Sequence, residues 1–232
     1  MRVGFATVDW SQSVVDSRGI PALGGSGHIR IGQYLPYLQG IDYKVGSLVF
    51  NPDPGLFGIQ SVENLVRDDD GLIDIQNQEL RCDFDFDVIY TQRNMHYMGA
   101  QCTAAARANG QVVINDVDDW FWGIDPSNYA YRATDPKLNP EYNRDSYKES
   151  LKMSSAVVTS TPFLQARISE WNPRAYLLPN HIEVGKYSQR KHTDDNAPLV
   201  GWVGGTGYRS GDLALLKPFA RMFDWVHGGS AG

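Results

Sequence analysis

Short apolar runs recur along the chain, separated by polar, glycine-rich or helix-patterned stretches. Arg2 to Val8 (RVGFATV), Tyr43 to Phe50, Asp87 to Gln92 (DVIYTQ), Gln111 to Asn115 (QVVIN), Ala156 to Ser160 and Ala175 to Leu178 each have the nearly continuous apolar character of a strand buried on both faces. Between them, His28 to Leu38 is amphipathic, Ser61 to Arg67 reads as a short helix, and His96 to Asn109 carries the small residues Ala100 and Ala104 to Ala106 that suit close packing on a sheet. Gly110 stands where a helix-ending C′ residue belongs. Glu141 to Met153 is helical in pattern, and Thr161-Pro162 supplies an N-cap followed by proline at N1 for a helix running to about Trp171. The stretches 68–87 and 123–140 read as an acidic irregular segment and as a loop or lid. The class predicted is α/β, with a Rossmann-like parallel sheet.

The pattern changes after Tyr187. A polar linker over 188–197 leads to the apolar run Leu199 to Val203, a glycine cluster at Gly204, Gly205 and Gly207, and a helix-patterned stretch from Ser210. Strand, tight glycine turn and helix form either a generic βα turn or a phosphate site, because glycines let a ligand approach the backbone and the amides opening a helix attract anions. An earlier glycine run, Gly24-Gly25-Ser26-Gly27, precedes His28, and its alternatives are a surface loop or a backbone cradle. The organisation expected is a first domain over 1–187, the linker, and over 198–232 the first strand-helix unit of a second Rossmann-like domain, truncated.

Candidate chemistry gathers at predicted strand ends. Asp116, Asp118 and Asp119 run into Trp120, Phe121 and Trp122. Carboxylates accept hydrogen bonds from hydroxyls or act as a base when their pKa values diverge, and aromatic rings stack on sugar faces. Helix capping with core aromatics is the other reading. Arg93 ends a strand where open α/β sheets bind ligands, and it suits a phosphate or acceptor contact or a structural ion pair. The triplet Asp68 to Asp70 reads as solvated loop charge, since no spaced oxygen ligands accompany it. The five histidines are scattered without metal-ligand spacing, and no GxSxG elbow occurs. A formal charge of −6 disfavours a broad nucleic-acid surface. The two cysteines, Cys82 and Cys102, have no CxxC spacing and read as free thiols of a reducing compartment. The sequence offers no apolar run long enough for a membrane span, so a cytoplasmic protein is expected.

The GG pair after the first strand, the DxDD run, the order of strand, TSTP, helix, strand and Pro179-Asn180, and GWVGG after a charged linker together resemble GT-B glycosyltransferases, in particular the family 4-like group with many bacteriophage members. The resemblance covers the amino-terminal domain and the start of the carboxyl-terminal one. It implies transfer of a sugar from a nucleotide sugar to an acceptor hydroxyl, in the host cytoplasm if a bacteriophage encodes the chain, with no metal and no cofactor besides the donor substrate. Carried over residue by residue, Gly24, Gly25, Gly204, Gly205 and Arg209 hold the donor, Asp118 and Asp119 are catalytic, and Arg93, Asp116, Trp120 and Trp122 face the acceptor. Tyr208 stands where many members have a histidine.

Only about 35 residues follow the linker, against the roughly 150 of a complete doubly wound domain. A second chain completing the donor side is therefore a partner to consider, and a non-catalytic binding or assembly module derived from this fold is the alternative. Nucleotide, sugar and acceptor are not specified by any motif.

Overall fold

Six strands form one parallel sheet: β1 (Arg2–Thr7), β2 (Asp42–Ser47), β7 (Val88–Gln92), β8 (Val112–Val117), β9 (Ala156–Thr159) and β10 (Ala175–Leu177), in the spatial order β10-β9-β8-β7-β1-β2. The structure is a computed structural model, and it describes residues 1–9, 23–47, 57–61, 66–67, 73–74, 78–82, 85–182, 184–186, 215, 217–219 and 222. The register pairs Val3 with both Tyr43 and Val88, Gln92 with Asp116, and Val117 with Thr159.

Side chains alternate across this sheet. Ala6, Ile89 and Val113 pack with Cys102 and Ala106 of helix α2 (Gly99–Ala108). Val117, Val157 and Ala175 continue the same face under α4 (Arg144–Met153) and α5 (Pro162–Ser169), through Tyr147, Leu151, Leu164 and Ile168. The opposite face, with Phe5, Tyr43, Val45 and Tyr90, is covered over β1, β2 and β7 by Leu23, Ile31 and Leu35. This division follows from right-handed crossovers. The step from β1 to β2 moves one way along the sheet and the later steps move the other, so their connections land on opposite faces.

Several local expectations hold. Gly110 ends α2 with φ 90°, and Thr161 Oγ1 caps α5 by accepting from the Leu164 amide at 3.2 Å, with Pro162 at N1. Others are corrected. The described residues of the helix expected over 61–67 are strand instead: β3 (Phe57–Ser61) pairs antiparallel with β6 (Gln78–Cys82), and β4 (Val66–Arg67) with β5 (Ile73–Asp74). Non-local pairing overrides the local charge pattern, which had also suggested irregular chain over 68–87. The amphipathic run at 28–38 is not one helix. A single turn α1 (Gly25–Gly27) passes into a π-helical turn at His28–Gly32, closed by the Gln33 amide on the His28 carbonyl, and then a 3₁₀ turn at Leu35–Tyr37 with Pro36 inside it. Within 123–140, Asn128 caps a short helix α3 (Tyr129–Thr134) by accepting from the Ala130 amide. The run expected over Gln111 to Asn115 extends to Val117, so Asp116 lies inside β8 rather than after it, held there by pairing with β9. The expected linker and most of the second-domain unit lie outside the described residues.

Candidate functional site

The chain leaves β1 toward one edge and β7 toward the other, so the crevice beyond the carboxyl ends of these neighbouring strands is the topological switch point, where open α/β sheets bind ligands. At its base Thr7 Oγ1 donates to Gln92 Oε1 at 2.8 Å, and the buried Gln92 Nε2 has no partner among the described residues. Arg93 follows with φ 58°, the one non-glycine residue with positive φ among those described. Such a backbone costs on the order of 1 kcal/mol and persists where its surroundings over-determine it. Here the Tyr142 hydroxyl donates to the Arg93 carbonyl at 2.9 Å.

The strained backbone directs the guanidinium into a ring of polar groups. Arg93 Nη2 lies 3.3 Å from Asp118 Oδ2 and donates to Ser26 Oγ, while Nη1 is 4.0 Å from Asp9 Oδ1. Burial works against the charge on Arg93, yet Asp118, Asp9 and Asp119 together hold its pKa above the ordinary value. Two polar atoms of this pair have no hydrogen-bond partner among the described residues: Arg93 Nε, a donor, and Asp118 Oδ1, an acceptor on a side chain only 7% exposed.

The first glycine run closes against this cluster. Gly25 has φ 48°, and the Gly27 amide donates to Asp9 Oδ2 at 2.8 Å. A Cβ at Gly27 would lie 2.7 Å from Asp9 Cβ, so glycine is required for the bend to approach the end of β1.

One layer deeper, Arg30 and Asp116 form an ion pair with both side chains wholly buried, Arg30 Nε lying 3.0 Å from each carboxylate oxygen. The Tyr90 hydroxyl donates to Asp116 Oδ2. Arg30 Nη1 donates to the Leu178 carbonyl at 2.6 Å and to Asn180 Oδ1 at 2.9 Å, and Gln33 Nε2 donates to the His181 carbonyl at 2.8 Å. Burial is the largest influence on Asp116 and outweighs Arg30 and the Tyr90 hydrogen bond, raising its pKa to about 6. Burial likewise lifts the Tyr90 hydroxyl well above its ordinary value, so it stays protonated as the donor.

The structure thus brings Gly24, Gly25, Arg93 and Asp118 to one place, with Asp116 beneath them. The aromatic half of the run turns away. Trp120 stacks on Trp171 at 5.7 Å, with Phe163 edge-on to it, and Trp122 stacks on Tyr147 at 6.0 Å. Both indoles are half-buried against the α4–α5 core. Asp119 is exposed and acts on Arg93 through its charge. Gly204, Gly205 and Arg209 lie outside the described residues.

Sequence reasoning missed Asp9, Arg30 and Tyr90. Asp9 carried a signal as the acid that directly follows the first strand, and Arg30 carried one as a charge between Ile29 and Ile31; Tyr90 carried none. Among the described residues no three His, Cys, Asp or Glu side chains are grouped as a metal site, and no helix is long and apolar enough to cross a membrane. No family model matches the chain, and no curated protein matches it.

Proposed function

We propose that this chain belongs to a sugar-transferring protein of the GT-B kind, with the switch-point crevice as its acceptor side. The observation that carries this reading is a set of buried atoms at one crevice with no hydrogen-bond partner among the described residues: Asp118 Oδ1 as acceptor, Arg93 Nε and Gln92 Nε2 as donors. Buried polar groups are normally paired, and leaving them so costs roughly 1–3 kcal/mol each. A guest that both donates and accepts satisfies them, and a hydroxyl group does both.

In the proposed reaction the acceptor hydroxyl donates to Asp118, and its oxygen attacks the anomeric carbon of the donor sugar. The bond from that carbon to the diphosphate breaks, and the hydroxyl proton passes to the carboxylate. Asp119 adds negative charge at the mouth of the site. Gly24 and Gly25 flank the departing diphosphate, and the roles proposed for Gly204, Gly205 and Arg209 are to stabilise its charge. Asp116 supports Asp118 from below on the acceptor side, while Trp120 and Trp122 anchor the segment after Asp118 in the α4–α5 core.

Isothermal titration of the full chain with UDP and GDP sugars tests this. Saturable heat is expected with one of them. Absence of any nucleotide-dependent heat would overturn the transferase reading in favour of a binding module without a donor.

A further inference from the structure

The glycine bend that flanks the proposed diphosphate already meets an anion, supplied by the chain itself. Asp9 Oδ2 accepts the Gly27 amide at 2.8 Å, and Asp9 Oδ1 lies 4.0 Å from Arg93 Nη1. A backbone amide of a glycine bend and a guanidinium are the two kinds of donor that a phosphate oxygen would use. Charge points the same way. Asp118, Asp9 and Asp119 all act on Arg93, and Asp118 also faces the buried Arg30–Asp116 pair. A phosphate arriving with Asp9 in place meets these carboxylates, whereas a neutral hydroxyl meets Asp118 Oδ1 and Arg93 Nε, which have no hydrogen-bond partner among the described residues.

We propose that Asp9 is a specificity-determining residue of the switch-point site: its carboxylate holds the place of an anionic ligand on the bend, so neutral hydroxyls enter freely and phosphate enters only by displacing it. The inference rests on the reading of this crevice as a ligand site. It adds that the two kinds of substrate group are sorted by one side chain at the end of the first strand. The bend becomes available to a diphosphate only when Asp9 gives up the Gly27 amide, which makes donor entry depend on whatever draws Asp9 away.

The test is calorimetric titration of inorganic pyrophosphate into the full chain, as wild type, Asp9→Ala and Asp9→Asn, with far-UV circular dichroism and urea midpoints recorded for each. Asp9→Ala, which removes both the charge and the occupant, should bind pyrophosphate at least tenfold more tightly than wild type. Asp9→Asn removes the charge and keeps the shape, so its gain should be smaller and of the same sign. The gain should vanish in Asp9→Ala combined with Arg93→Gln. Folded variants that bind pyrophosphate no better than wild type would overturn the proposal, and so would a gain that survives loss of Arg93. Pyrophosphate reports on the bend and Arg93 without a sugar or nucleotide, so a failed titration with nucleotide sugars would remove the transferase reading and leave this result standing.

Discussion

Arg30 and Asp116 are the residues whose chemistry is most dependent on each other. A buried pair gains little net stability over an apolar replacement, but removing one partner leaves a charge stranded, at a cost of roughly 3–5 kcal/mol. Arg30→Met should lose about that much in urea denaturation at pH 7, and less near pH 5, where Asp116 takes up a proton. The isolated effect of Asp116 has a defined sign. Its folded value of about 6 lies above the ordinary 3.8, so the native state binds the proton more tightly than the unfolded chain does. The associated stability is complete below the lower value and is lost as pH rises through the upper one. Measured against Asp116→Asn, which does not titrate, wild-type stability should fall by roughly 3 kcal/mol across that window; a flat difference would contradict the assignment. Asp118 and Arg93 were legible as candidates because polar residues at strand ends face the crevice of any open sheet. Their pairing was not legible, since only the register sets them side by side. Arg30 was hidden for the same reason: its carboxylate partner is 86 residues away.

At the level of elements, local chemistry was readable wherever it acts over a few residues. The Thr161 cap is one such case, and Thr161→Ala should lower stability by about 1 kcal/mol, read as a shift in urea midpoint. Gly99 is a different case, because its constraint comes from a neighbour that no local pattern reveals. A Cβ there would lie 2.4 Å from Asn94 Oδ1, and Asn94 Nδ2 is held by Ser150 Oγ at 2.9 Å from the facing helix α4. Gly99→Ala should therefore cost roughly 1–3 kcal/mol despite raising helix propensity, and a stabilised variant would show that the Asn94 contact is not rigid. The antiparallel pairs between β2 and β7 were misread because their residues suit a helix or an acidic loop until a partner strand arrives. The run at 28–38 kept its apolar face and lost its regularity, with Gly32 and Pro36 dividing it into a π turn and a 3₁₀ turn.

Across the whole molecule, the strand order decides where chemistry collects. Placing β1 beside β7 gathers Asp9, the first glycine bend, Arg93 and Asp118 from segments spread over more than a hundred residues. The parallel sheet itself was legible from its apolar runs. The separation of the acidic and aromatic halves of 116–122 was not, because it depends on α4 and α5 offering Tyr147 and Trp171 as partners for the indoles. The hold of Arg30 on Leu178 and Asn180 has a mechanical meaning. Tension transmitted back along the backbone from residues beyond 186 meets this knot before it can peel the edge strand β10 from the sheet, and the knot is moored to the central strand β8. In a pulling experiment, Arg30→Lys should rupture at lower force than wild type, since an ammonium cannot grip a carboxylate and two further oxygens with the same planar fork.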